Sequence, residues 1–512
     1  LFDIPLVTGV YDVALRIAPP FSPRWARVRL NGRPVSPWHW RGRSLVERVT
    51  CDTPGLRMAW NDPTRRVPLL AVRAVPAGSN ALIHPAPAPR IPQASLDDNA
   101  FLDHVARAAF DFFIYETDPV SGLTRDTSRA PFTSTASCGF CLSALAYGAE
   151  RGWIPREDAE QRALRMLRTL DFLSRTTRDG MYPHFLMLDG AAISHGETGT
   201  STIDSALLFM GMLTAGEYFG GAVRQLAEEI VARVNWRAYF DRERKHIYMG
   251  WTPRTPGDFA GPGSYGGHWC SYTDETILIN LLACGAPKPS HRLPGDIFYA
   301  WERPRVSYDD GPEFIRSYPH NLFTYVFAHL WIDFRAAGPD ARGVDWWSNT
   351  VHAVDAHRRY AINRADEFAT FSSNRWGLSP CVVGNAYVVP HPMPNGAGHD
   401  MNIDGAVAPY AAAMALPFAP DVAIAALREM YAISLDGVDL WESTSRCGYG
   451  FWDSFTMDRT PPLVTRVVVG IDQGPLLMSI ANYRHNFFWN LMKQNPVITK
   501  GLKRAGFADV RD

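Results

Sequence analysis

From residue 98 onward, apolar side chains recur at helical spacing. Counting matches to that period predicts twelve helices, at roughly 98–116, 134–152, 155–176, 201–219, 221–236, 271–285, 317–337, 343–364, 402–415, 419–434, 474–493 and 495–506. Start signals support several of them. Pro155 is followed by Glu157 and Asp158, Pro420 by Asp421, and Gly474-Pro475 opens another, so a proline stands near a first turn each time. The helices differ in kind. Those starting near 155, 343 and 419 have one charged face, whereas those near 201, 271, 402 and 474 are apolar nearly all round and should be buried on all sides.

The first 95 residues carry a different period. Val10 to Ile17 reads as a strand, and Trp25 to Leu30 alternates Ala26, Val28 and Leu30 against Arg27 and Arg29. Asn31-Gly32 supplies a turn before a further strand, and Leu69 to Val75 suggests another. Pro85 to Pro92, with proline at alternate positions through Pro89, reads as a stiff extended linker. The expected organisation is a β-rich N-terminal domain with its linker over 1–95 and a helical domain over 96–512. Twelve helices of alternating amphipathic and buried character fit an (α/α)6 barrel, here mainly α and preceded by a small β-sandwich-like domain. The alternation slips once, because the helices near 271 and 317 both read as inner ones.

Composition narrows the chemistry. The 512 residues have a net charge of −1 and no basic stripe, which argues against nucleic acid as a partner. No apolar run is long enough to cross a bilayer. The chain starts at Leu1 rather than Met, consistent with a leader removed before this numbering and hence with a periplasmic or secreted location. The seven cysteines (51, 138, 141, 270, 284, 381, 447) form no disulfide framework. Cys138 and Cys141 have CxxC spacing but lie in an apolar helical run, which favours packed thiols over a redox or metal pair. There is no Walker loop and no GxGxxG after a strand, and Gly139 and Gly148 fall inside a helix. His399-Asp400-Met401-Asn402-Ile403-Asp404 matches no metal-ligand template, so neither a metal nor a cofactor is expected. No pattern specifies an oligomeric state.

Acids and aromatics gather just before the apolar helices, which places them at one open end of a barrel, where loops build a site. That mixture suits an oligo- or polysaccharide: aromatic faces stack on pyranose rings, and carboxylates bind hydroxyls or move protons. Glu275 opens one helix among Trp269, Tyr272 and Asp274, as a catalytic acid or as a complement to the helix dipole. Asp453, in Gly448-Tyr449-Gly450-Phe451-Trp452-Asp453, is either a general base among aromatic walls or an Asx-turn residue. Asp472 reads as an N-cap; Asp204 and Asp404 cap helices or bind sugar hydroxyls; Glu197, in a flexible loop, is an alternative acid.

Taken in order, segments of residues 98–506 resemble the glucoamylase-like domain family, which includes bacterial endo-β-1,2-glucanases. They run from Phe110-Asp111-Phe112-Phe113 and Ser121 to Asp126, through Cys138-Gly139-Phe140 and Glu150 to Ile154, to Ser201 to Leu208. Then come Glu275 with Leu281-Leu282-Ala283, Leu322 to Arg335, and Trp376-Gly377-Leu378. The last are Asp404 to Pro409, Asp453-Ser454-Phe455, and Ile471 to Arg484. The resemblance does not extend to residues 1–95. It implies an exported (α/α)6-barrel hydrolase that cleaves β-glucan with inversion, β-1,2-glucan favoured, with Glu275 as general acid and Asp453 as base. Asp126, Asp204, Asp404, Asp472, Gln473 and Tyr272 are then expected to contact sugar, with Trp269, Trp376 and Trp452 as stacking platforms. The chain departs from the family at Gly199-Thr200, where relatives often carry Glu, and at Ser379 to Asn385, where they carry an Asp-Gly-Pro segment. Other readings are a transglycosylase or phosphorylase on the same glucan, a lyase using Tyr272 or His268, or a carbohydrate-binding protein without catalysis. Phosphorolysis would need a basic pocket, and no Arg or Lys cluster lies beside Glu275 in the sequence.

Overall fold

The computed structural model describes the strands within the first 76 residues and, from Leu96 to Asp509, all but residues 176, 189, 191–198, 253–263 and 443–447. The chain divides into two compact units, one of residues 1–85 with 117–122, the other of 86–116 with 123–512. The first contains two four-stranded antiparallel sheets. Strands β1 (Phe2–Ile4), β2 (Gly9–Ile17), β3 (Arg27–Leu30), β4 (Arg33–Pro34), β5 (Trp40–Arg41), β6 (Ser44–Cys51), β7 (Leu56–Asn61) and β8 (Leu69–Pro76) are arranged β1-β7-β3-β4 and β5-β6-β2-β8. The alternating segments thus become strands, with Tyr11 of β2 opposite Val49 on one side and Pro76 on the other. The Asn31-Gly32 turn and the linker Pro85 to Pro92 lie outside the described residues.

The second unit is mainly helical: α1 (Asp98–Tyr115), α2 (Thr135–Glu150), α3 (Arg156–Ser174), α4 (Thr202–Phe219), α5 (Gly221–Arg233), α6 (Asp274–Gly285), α7 (Phe334–Ala337), α8 (Trp346–Asn363), α9 (Pro409–Met414), α10 (Pro420–Ala432), α11 (Gly470–His485), α12 (Phe487–Met492) and α13 (Pro496–Ala505). As their uniform apolar character requires, all residues of α6 and α9 are buried, and so are nearly all of α2 and α4. These buried elements touch in cyclic order: α2 to α4, α4 to α6, α6 to the short turns at 322–330, those turns to α9, α9 to α11, and α11 back to α2. Glycine sets the closest crossing. A Cβ on Gly139 of α2 would fall 2.4 Å from the Leu207 carbonyl oxygen of α4, and one on Gly211 would fall 2.0 Å from that of Gly139.

Three expected helices differ. The 317–337 segment is not one helix but two 3₁₀ turns (Leu322–Tyr325 and Ala328–Leu330) followed by α7. Two of its backbone groups bond to side chains at the start of α6. Thr273 Oγ1 donates to the Thr324 carbonyl at 2.6 Å, and Asp274 Oδ2 accepts from the Ala328 amide at 2.9 Å. The 402–415 segment is helical only over α9, because Asn402 (φ 55°) and Gly405 (φ 76°) hold the left-handed region before it. The 474–493 segment starts earlier, at Gly470, and breaks at left-handed Asn486 into α11 and α12. The slip in the alternation has a physical account. The place beside α6 that an intervening outer helix would fill is taken by α13, the last described helix, and Gly501 brings it against the Leu281 carbonyl.

Candidate active site

Buried helices bring acids together at their N-terminal ends. At the start of α4, Ser201 is the N-cap: its hydroxyl accepts from the Asp204 amide and donates to Asp204 Oδ2. Asp204 is 4% exposed, and its Oδ1 lies 3.5 Å from His184 Nε2. Asp126 belongs to the same neighbourhood. Its amide donates to the Phe132 carbonyl and its carbonyl accepts from the Gly470 amide, tying this loop to the start of α11. Burial raises the Asp126 pKa. A hydrogen bond from Ser134 and the nearby His184 oppose the rise, and Asp204 adds to it.

Glu275 is the second residue of α6 and is 6% exposed. Its Oε2 is buried and meets no hydrogen-bond partner. A carboxylate at a helix N-terminus gains about 0.3–1 kcal/mol from the dipole, but desolvation outweighs that here. Burial first, then the charges of Asp204 and Asp274, push Glu275 up to about 8. Asp274, one residue before, acts structurally instead and caps the 3₁₀ turn described above.

Across the site, Asp453 (4% exposed) and Asp472 (3%) form a pair. Asp453 Oδ2 accepts the Val382 amide at 2.6 Å, whereas Asp453 Oδ1 and Asp472 Oδ2 meet no protein N–H or O–H. Two buried carboxyls in this relation are stable only with a proton between them. Asp472 holds it: burial and then the Asp453 charge push Asp472 well above the usual carboxylate range. Asp453 rises by burial only to about 6, since the Asp472 proton and the Val382 amide both favour its charged form. Asp126 lies within electrostatic reach of both members. Glu275, Asp204, Asp126 and the Asp453–Asp472 pair therefore form one linked arc of acids. Cys381 feels Asp453, Asp472 and Asp404, which sets Asp404 beside the arc.

Other sequence candidates are placed differently. Trp376 is 0% exposed and has no free face for stacking. Trp269, 4% exposed, spends its indole N–H on Thr202 Oγ1 at 2.8 Å, and Trp452 is 6% exposed. The partly open aromatics nearby are tyrosines: Tyr272 sits edge-on to Trp269 (5.1 Å) and to Tyr318 (5.9 Å), and Tyr318 to His391 (5.5 Å). Tyr272 also feels the Glu275 charge. Asp404 lies in a loop rather than at a helix start and pairs with Arg459 at 3.0 Å. Asp472 is the third residue of α11, not its N-cap, because that helix begins at Gly470. Gln473 is buried with Oε1 unpartnered. Glu197 lies outside the described residues. His268, a candidate lyase base, is bonded to Asp241 at 3.0 Å. Asp400 accepts from the Met393 amide and pairs with Arg364, and among the described residues no group of three or more His, Cys, Asp or Glu is placed to hold a metal ion. Cys138 and Cys141 are buried, and burial pushes Cys138 up to about 12, as inert packed thiols require.

Two residues escaped the sequence reading. His184 has no motif around it. Tyr387 had a signal: Cys381-Val382-Val383-Gly384-Asn385-Ala386-Tyr387-Val388 has a two-residue Gly-Asn turn between short β runs, and it folds as a hairpin.

With this geometry in place, comparison with known proteins shows what the chain is similar to. A family model described as "Putative glucoamylase" matches residues 267–496, which include Glu275, Asp453 and Asp472. The helical unit is similar in fold to glucoamylase-like proteins. An exo β-1,2-glucooligosaccharide sophorohydrolase from Parabacteroides distasonis is 26% identical over 452 residues, 80% of this chain, and the chain spans 58% of that relative's length. The glucoamylase-like fold recurs in an endo-β-1,2-glucanase from Chitinophaga pinensis (TM-score 0.68, 22% identity, 80% of this chain and 99% of that one). It also recurs in a β-1,2-glucanase from Parabacteroides distasonis (TM-score 0.69, 20% identity, 98% of this chain and 72% of that one).

Proposed function

We propose that the chain is a glycoside hydrolase acting on a β-linked glucan, β-1,2-linked by preference, with inversion at the anomeric carbon. One observation carries this reading. Buried carboxyls within electrostatic reach of one another are pushed apart in pKa, Glu275 up to about 8 and Asp453 only to about 6, and this supports the division of labour acid–base glycoside cleavage needs. Glu275, protonated up to about pH 8, donates to the departing glycosidic oxygen. Asp453, ionised above about pH 6, takes a proton from the attacking water, while neutral Asp472 steadies its charge. Asp126 and Asp204 bind sugar hydroxyls in this reading, and Tyr272 contacts a ring. The names of the relatives favour the β-1,2 linkage.

The closed cycle of buried helices is read as an (α/α)6 barrel in which α13 supplies an outer member. The proposed division is a β-rich module with linker over 1–95 and a catalytic domain over 96–512. No helix among the described residues is long and apolar enough to cross a membrane; a periplasmic or secreted location goes with a polymeric substrate. The test is release of reducing ends from β-1,2-, β-1,3- and β-1,4-glucans, with Glu275→Gln as the control and the anomer of the first product read by NMR. Activity on the β-1,2 polymer alone, with an inverted product, is expected. A retained anomer would remove the inverting assignment, and no release from any β-glucan would remove the hydrolase.

A further inference from the structure

Among the described residues few large apolar side chains are exposed, and Tyr387, at 59%, is one of them. It stands on the hairpin formed by Cys381–Val383 and Ala386–Val388, where Tyr387 lies directly opposite Val382. Residues so opposed carry their side chains on the same face, about 4.5–5.5 Å apart at Cβ. On the first strand Cys381 and Val383 are buried while Val382 between them is half-buried, and Tyr387 opposite Val382 is exposed. Val382 is also the residue that grips the candidate base. Its amide donates to Asp453 Oδ2 at 2.6 Å, and its carbonyl accepts from Ser454 Oγ at 2.6 Å. The tip of the hairpin is fixed as well, by the Gly384 amide donating to Thr465 Oγ1 at 3.0 Å. The hairpin therefore holds a buried carboxylate along the edge of its first strand and an exposed tyrosine on its second. The side chain is open to water, yet surrounding protein still desolvates its hydroxyl, which feels Asp472, Asp453 and Asp126. The hydroxyl stays protonated well above neutral pH and is a permanent donor.

We propose that Tyr387 is a substrate-contacting residue: its ring walls the glucan cleft on the side of the attacking water, and its hydroxyl donates to the sugar unit held beside Asp453 and Asp472. This rests on the hydrolase reading above and adds to it a specificity element in the segment where the sequence departs from its family.

The experiment is steady-state kinetics on β-1,2-gluco-oligosaccharides of increasing length, using wild type, Tyr387→Phe and Tyr387→Ala. Tyr483→Phe serves as a control, since Tyr483 is another exposed tyrosine and lies near the far end of α11. Tyr387→Phe keeps the wall and loses one hydrogen bond, so kcat/KM falls about 3–10-fold. Tyr387→Ala loses the wall too, so KM rises a further several-fold, and the loss changes with chain length. Tyr483→Phe changes neither. If wild type cleaves glucan and both Tyr387 variants match it, the Tyr387 assignment is wrong and the hydrolase stands. If wild type neither cleaves nor binds any β-glucan, both fall. Should the Ala variant fail to fold, the Phe variant decides alone, because it removes a single atom from a ring that the fold leaves open.

Discussion

Glu275 and the Asp453–Asp472 pair are buried to the same degree, yet burial does different things to them. Glu275 has Oε2 facing no donor, so desolvation is barely opposed and the group stays neutral near pH 7. Asp453 has a strand amide at 2.6 Å and a neutral carboxyl beside it, and the two recover its charge. The lesson is that the count of hydrogen-bond donors around a buried acid, rather than depth, sorts an acid from a base.

The largest expected effects test each half of that contrast. Glu275→Gln keeps shape and removes the transferable proton, so turnover on glucan should fall on the order of 10²–10⁴-fold. Aryl glycosides with good leaving groups, if accepted, should lose much less. Asp453→Asn should fall by a similar factor without that rescue, because water activation does not depend on the leaving group. Equal losses for Glu275→Gln on good and poor leaving groups would take the acid role away from Glu275.

Asp472→Asn sharpens the comparison within the pair. An amide can donate to Asp453 as the protonated carboxyl does, so this variant should stay within about 10-fold of wild type, a loss comparable to one imperfect hydrogen bond. A loss matching Asp453→Asn would instead make Asp472 the base.

The pH profile of kcat/KM should be a bell, with an acid limb near 6 from Asp453 and an alkaline limb near 8 from Glu275. Asp453→Asn should abolish the acid limb in whatever activity remains.

The smallest effect is on stability. Glu275 is raised from 4.5 to about 8 in the folded protein. Between those values the unfolded chain has lost the proton and the folded protein retains it, so stability falls as pH rises through that window and levels off above it. At about 1.4 kcal/mol per unit, the full loss is on the order of a few kcal/mol. Glu275→Gln should therefore melt higher than wild type at pH 9, and the gap should shrink towards pH 4.5. A gap independent of pH would mean that Glu275 is ionised in the folded protein.

Much of this was legible in the sequence because inner helices are apolar all round and need a start signal. Thr202 to Phe219 and Asp274 to Gly285 came out within a few residues of their expected limits. The 317–337 segment did not, because two of its backbone groups bond to Thr273 and Asp274, far away in the chain, and a local period cannot register them. The acids were legible as types at helix starts. Their states were not, since the states depend on partners such as the Val382 amide, 71 residues away from Asp453. Trp376 was misplaced for a related reason: a tryptophan in a polar segment gives the same sequence signal whether its ring is sealed or open, and here it is sealed. Tyr387 could have been found from its Gly-Asn turn, though not its position beside Asp453.

The crossing of α13 over α6 has a consequence for biosynthesis. The helix that opens with Glu275 is clamped on its outer side by a segment made some 220 residues later, through a contact at Gly501 too close for any side chain. A ribosome-bound chain lacking that segment has the acids but not the support that keeps α6 dry. A chain stopped at residue 495 should therefore lose the glucan hydrolysis proposed above, read as release of reducing ends.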